Sequence, residues 1–251
     1  MQVQDFWAWR DFLASRAHEH ERDPLWINLD ETAVAMAYPS VRGMVVSKKR
    51  WPCGKVPRQR VSRSSQRSMM THVCLLTHDK DVQKVLPQYV ISNQRSISAK
   101  MLQGMEVVPA EVIFLRRKSA WVTGKVLLQI LARLVEALQK YRSKFQPILA
   151  LDCCKVHLTS EFVKACADAK IWLLYIPALC THILQPADTH CFAVYKKFLK
   201  ERFRASKDAC GFVPAKQWMS VMVDVTTKFL QDRDWTRSFL QTGILGNRDN
   251  L

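Results

Sequence analysis

The sequence predicts an α/β protein, a mixed sheet flanked by helices, and three observations carry that expectation. Two short apolar runs, Leu25-Trp26-Ile27-Asn28-Leu29 before Asp30 and Ile148-Leu149-Ala150-Leu151 before Asp152, have the length and content of buried strands closing in a carboxylate. Val126, Ile130, Leu134, Val135 and Leu138 recur at helical spacing and predict an amphipathic helix over 125–144. Strands come first in the chain and then alternate with helices, the order of a sheet covered by helices.

The remaining elements follow in chain order. Residues 2–22 place Phe6, Trp7, Trp9, Phe12 and Leu13 among charges, a short amphipathic lead-in helix. Residues 41–46 read as a second strand, and Pro52, Gly54 and Pro57 then break regular structure in a hairpin tip or extended insertion. Residues 71–76 read as a third strand. The apolar runs at 89–91 and 112–115 are assigned to no element. Pro147 is expected to end the long helix, followed by a strand at 148–151, a helix over 160–169 and a strand at 171–175. Pro186 suits the first position of a helix, where its missing N–H costs nothing. That helix is expected to reach about residue 204, with Cys191, Val194, Tyr195, Phe198 and Leu199 on its apolar face. A last helix is predicted over 217–231, and 243–251 reads as a loose end.

With 251 residues and 48% hydrophobic composition, the chain can bury a sizeable core. No run approaches the roughly 18 apolar residues of a membrane span, and the first residues lack a signal-peptide core, so a soluble intracellular protein with no membrane partner is expected. The eight cysteines form no Cys-x-x-Cys pair and are expected to be reduced. Cys153, Cys154, His157, His190 and Cys191 could be imagined around zinc, but they lack regular ligand spacing. The formal net charge is +16, and residues 48–67 hold Lys48, Lys49, Arg50, Lys55, Arg58, Arg60, Arg63 and Arg67 with no acidic residue among them. Such a stretch is a solvated loop, a nuclear address or a grip on phosphates; the basic character of the whole chain favours nucleic acid.

Asp30, Asp152 and Asp188 form the candidate catalytic and metal-binding set. Mg²⁺ and Mn²⁺ are hard cations that take carboxylate oxygens and keep several waters, so a few converging aspartates suffice. Clustered carboxylates repel one another unless a cation compensates. Each aspartate taken singly has a plainer role, as a turn residue, a helix cap or, for Asp188, a charge complementing a helix dipole.

The joint pattern resembles the DDE superfamily endonucleases, in the pogo and Tigger/jerky-like branch of the Tc-mariner transposases. Asn28-Leu29-Asp30-Glu31-Thr32 is similar to the first-aspartate motif. Leu149-Ala150-Leu151-Asp152 with His157 resembles the second. Ile176-Pro177, Thr181, Gln185-Pro186-Ala187-Asp188 and Lys196-Lys197 resemble the third. Thirty-five residues, 153–187, separate the second and third aspartates, close to the family's spacing. The basic segment with Thr71-His72-Val73, and Ser119-Ala120-Trp121-Val122-Thr123, are also similar, so the resemblance covers about 24–204. Cys153 and Ala187 depart from the asparagine and leucine usual at those places.

The resemblance implies a ribonuclease-H-like fold and metal-dependent cleavage or transfer of DNA phosphodiesters by a two-metal mechanism. It implies Asp30, Asp152 and Asp188 as ligands, with His157 and Gln185 in supporting roles. Lys48 to Arg67 together with Lys196 and Lys197 would hold DNA, with transposon ends as the duplex if the element is mobile. Glu31 points to the other side of the strand and is not expected to be a ligand. A homodimer and a nuclear location are expected on the same ground. The expected organisation is a lead-in helix over 1–23, a catalytic domain over 24–204 with the basic insertion 48–67, and a helical extension over 205–251. The family's helix-turn-helix domains do not fit in the lead-in. Two alternatives stay open: a domesticated DNA-binding or chromatin protein that keeps the fold without catalysis, and a ribonuclease acting on RNA or hybrids.

Overall fold

Six strands form one mixed sheet in this computed structural model, which describes residues 3–35, 69–94, 97–105, 108–206, 213 and 215–246. The strands are β1 (Asp23–Ala35), β2 (Met69–Thr77), β3 (Gln88–Asn93), β4 (Val112–Arg117), β5 (Phe145–Asp152) and β6 (Trp172–Ile176), and the short helices α2 (Lys80–Val85), α3 (Ala99–Gln103) and α6 (Thr181–Leu184) lie between longer elements. Their spatial order is β4-β3-β2-β1-β5-β6. β1 and β3 each pair antiparallel with β2, whereas β5 runs parallel to both β1 and β6. This antiparallel run joined to parallel strands at β1 is the ribonuclease-H-like arrangement, here with β4 added parallel to β3 at the edge. The strand anticipated at 41–46 and the basic segment 48–67 lie outside the described residues.

Alternation along the strands sends side chains to two cores. Leu25, Ile27 and Leu29, with Leu149 and Leu151, face a layer made by α4 (Gly124–Leu138) and α5 (Ser160–Asp168). Trp26, Ile148, Ala150 and Leu174 face the opposite layer. That layer holds α1 (Val3–Glu19), α7 (Phe192–Ala205), α8 (Ala215–Val225) and α9 (Thr236–Gln241). The unbroken apolar run of β5 therefore reflects burial on both faces, as a central parallel strand requires.

Several expectations change in the folded chain. The long helix stops at Leu138 and gives way to a 3-10 turn over Gln139–Tyr141, and Pro147 lies inside β5 rather than at a helix end. β6 begins pairing only at Ile148, so the proline falls before the strand is flanked on that side. The runs at 89–91 and 112–115 are β3 and β4. Two expected helices are interrupted by π-helical turns, Ala187–Cys191 ahead of α7 and Thr226–Gln231 after α8.

α1 is amphipathic with a different face from the one expected. Phe6, Trp7, Arg10 and Leu13 are buried, while Trp9 and Phe12 stack on each other in the open. Trp9 Nε1 donates to Leu173 O at 3.1 Å, so the helix shields the backbone of edge strand β6. Arg10 Nη2 donates to Gly243 O and Gly246 O at 2.9 and 2.6 Å. Residues 243–246 are thus tied down, with Ile244 wholly buried.

His72 on β2 is fully buried, its Nδ1 lying 2.6 Å from the Tyr195 hydroxyl of α7. Burial lowers its pKa from 6.5 to about 4, opposed only in part by the Gln88 side chain. Between those values the unfolded chain binds a proton that the folded chain refuses, so this stability is present above pH 6.5 and lost as pH falls toward 4. Acidification over that window is expected to cost on the order of 3 kcal/mol at this residue. Urea midpoints against pH should show the slope, and His72→Gln should flatten it.

Candidate active site

Asp30 does not close its strand. β1 continues to Ala35 because β2 goes on pairing with it through Ala35 and Met69. The pairing of β1 with β5 is what ends there, at Asn28 and Ala150. Asp30 stands two residues beyond Asn28, and Asp152 two beyond Ala150. By the two-residue period both positions fall on the same side of adjacent parallel strands, at the point where the pairing of β1 with β5 has ended.

Asn28 links this point to the third aspartate. Its side chain is wholly buried; Nδ2 donates to Ala150 O at 3.1 Å and Oδ1 accepts the Ala187 N–H at 2.9 Å. One amide therefore ties β1 to β5 and to the π-helical turn carrying Asp188. Such turns gather at functional positions because the extra residue re-aims a side chain. Thr189 steadies the turn by donating its hydroxyl to Gln185 O at 2.8 Å. In the sequence Asn28 shows only as a polar residue inside an apolar strand run, a signal that buried partners must exist.

Asp30 is 8% exposed. Its Oδ1 accepts the Glu31 N–H at 2.8 Å, whereas its buried Oδ2 has no hydrogen-bond partner. Burial, and next the charge of Asp188, push its pKa to about 8 against the pull of the Glu31 N–H and the Gln185 side chain. Gln185 is buried too, and its Oε1 is likewise unpartnered. Asp188 itself is exposed at the turn.

Asp152 is held differently. His157 Nδ1 lies 2.7 Å from Asp152 Oδ1, and the Cys154 N–H donates to the same oxygen at 3.1 Å. The other ring nitrogen, Nε2, is 3.6 Å from Glu31 Oε1. Burial pulls the His157 pKa down, but Asp152 and then Glu31 more than offset it and raise it to about 10. The imidazolium in turn lowers the pKa of Asp152. Glu31 thus serves the histidine from the opposite side of β1. Cys153 turns its thiol to Ile176 O at 3.2 Å, which joins β5 to β6 at their ends.

Asp30, Asp188 and Gln185 interact as a cluster, whereas Asp152, on the neighbouring strand β5, interacts with His157 and the Cys154 N–H. Among the described residues no three His, Cys, Asp or Glu side chains close around a single point that could hold a metal ion, and this applies to the aspartates and to Cys153, Cys154, His157, His190 and Cys191 alike. Lys196 and Lys197 are exposed on α7, the former with its ammonium 5.9 Å from the Phe192 ring. Lys48, Lys49, Arg50, Lys55, Arg58, Arg60, Arg63 and Arg67 lie outside the described residues.

A ribonuclease-H-like sheet with aspartates on its adjacent central strands β1 and β5 defines the class of domain. The chain belongs to the DDE superfamily endonucleases, whose family model matches residues 70–207. That interval includes Asp152, His157, Gln185, Asp188, Lys196 and Lys197, and Asp30 lies ahead of it. Among solved structures the chain is similar to the Mos1 transposase paired-end complex with left transposon end. The two are 16% identical with a TM-score of 0.44, over 93% of this chain and 60% of that one. It is also similar to the catalytic domain of Mos1 mariner transposase, at 14% identity and a TM-score of 0.41, over 97% and 96% of the two chains. The chain therefore spans 60% of the length of the transposase in the paired-end complex. No curated protein sequence matches it.

Proposed function

We propose that this chain is the catalytic domain of a DNA transposase or endonuclease of the pogo and Tigger/jerky-like branch, acting on phosphodiesters with Mg²⁺ or Mn²⁺. The observation that carries the reading is the buried, unpartnered Asp30 Oδ2 with the Asp188 carboxylate acting on it. A buried anionic oxygen without a partner costs several kcal/mol unless a cation or proton compensates. The oxygen donors at hand are Asp30, Asp188 and the unpartnered Gln185 Oε1, with Asp152 on the neighbouring strand. They are all hard oxygens, the set these cations prefer.

Asp30, Asp152 and Asp188 would hold the ions, two in number by the family's mechanism. When bound, such ions neutralise charge on the phosphodiester oxygens and make an attacking water or 3′-hydroxyl more acidic. His157, fixed between Asp152 and Glu31, keeps Asp152 ionised and oriented. Lys196, Lys197 and the basic stretch 48–67 would neutralise DNA phosphates and position the duplex without reading its bases. A nuclear location and pairing of two copies on transposon ends belong to the same reading.

Nicking of supercoiled plasmid by the purified chain in Mn²⁺, abolished by EDTA and by Asp152→Asn, is the expected result. Salt-sensitive plasmid binding with no nicking would replace this reading with that of a domesticated DNA-binding protein. Faster cleavage of RNA or hybrid than of duplex DNA would move the substrate to RNA.

A further inference from the structure

We infer that Trp121 and the basic residues beside it form a seat for an unpaired nucleotide of DNA, next to the chain segments that carry Asp30 and Asp152. The inference rests on the proposed action on DNA. Trp121 is 81% exposed, an unusual state for so large an apolar side chain. The turn presenting it is fixed, since the Trp121 N–H donates to Ser119 Oγ at 3.1 Å. The indole stands between two depressions. One, of about 420 Å³, is largely apolar and is lined by Ala33, Met70, Val122 and Val156. Glu31 and Thr32, which follow Asp30, and Cys154, two residues after Asp152, line the same depression. The other, of about 460 Å³, is lined by Arg116, Arg117 and Lys118 with Gln94 and Thr123, and no acidic residue borders it.

A nucleotide has the same two-part chemistry, a flat apolar base and an anionic phosphate. Successive bases stack on exposed aromatic rings while cations follow the backbone. The base fits against the indole on the apolar side, and the phosphates fit beside Arg117 and Lys118. Arg116 is partly committed, since its Nε donates to Ile97 O at 2.7 Å. A base inside a duplex has both faces covered, so the seat takes a nucleotide that has left the stack, as at a cleaved or frayed strand end.

The test is binding in EDTA, which separates it from cleavage. Fluorescence anisotropy would compare a blunt duplex, the same duplex with a three-nucleotide single-stranded overhang, and that overhang made abasic. Stacking of one base corresponds to about tenfold in affinity, so the intact chain should prefer the overhang by about that factor and lose the preference with the abasic one. Trp121→Ala should abolish the preference while leaving blunt-duplex affinity unchanged, and Trp121→Phe should keep most of it. An overhang preference that survives Trp121→Ala, an equal loss on both duplexes, or no preference in the intact chain would each overturn the inference. Failure of plasmid nicking with the preference intact would count against the endonuclease reading alone.

Discussion

Asp30→Asn is expected to make the metal-free protein more stable and the protein inactive. The substitution keeps the shape of the side chain and removes a buried charge that burial and the Asp188 carboxylate both oppose. Relieving such a group is worth about 1–3 kcal/mol, and for a chain of this size each kcal/mol moves the melting temperature by about 2–4 °C. Thermal melts in EDTA at pH 8 should therefore rise by several degrees. Mn²⁺ should raise the melting temperature of the parent chain, because a ligand that binds only the folded state stabilises it, and should leave the variant unmoved. Plasmid cleavage should fall by at least about 10²-fold, the loss that follows removal of one group that stabilises transition-state charge. A parent chain whose melt ignores Mn²⁺ would remove the basis for treating Asp30 as a ligand.

Asn28→Ala is expected to have the larger effect on folding and a comparable one on cleavage, by a different route. The amide serves two backbone groups at once, Ala150 O and the Ala187 N–H, in a wholly buried position. Leaving both unpaired costs about 2–4 kcal/mol in all. It also frees the turn bearing Asp188 from the strands bearing Asp30 and Asp152. Displacing a reacting group by about 1 Å costs about 10²-fold in rate, so cleavage should drop at temperatures where the variant remains folded. The Mn²⁺-dependent rise in melting temperature should shrink with it, a change that loss of packing alone would not produce. Asn28→Gln carries the same amide one methylene further out and should not restore either property. A variant that is destabilised yet cleaves normally when folded would limit Asn28 to the core.

Much of the site could be read from local pattern. The apolar runs before Asp30 and Asp152 announced β1 and β5, and Pro186 announced the helix start that presents Asp188. His157 entered as a supporting residue only through the family resemblance, and its pairing with Asp152 came from the folded chain. The basic stretch 48–67 was the plainest signal of charge, and its structure lies outside the described residues. Trp121 was visible as a motif residue, but the basic edge and apolar hollow on its two sides come from β1, β2, β4 and the segment after β5, which no local window joins.

What the sequence by itself determined was the alternation of apolar and polar residues, and with it the kinds of element and the faces that the aspartates take. Those follow from the two-residue and 3.6-residue periods, which are local. Tertiary structure decided what each side chain meets. It placed Asp30 mid-strand, because β2 goes on pairing after β5 has ended. It buried Arg10 against Gly243 and Gly246 while leaving Trp9 and Phe12 in the open. It also gave Asn28 partners 122 and 159 residues away. Burial and hydrogen-bond partnership are set by segments distant in the chain, and at this site they decide which oxygen is left without a partner.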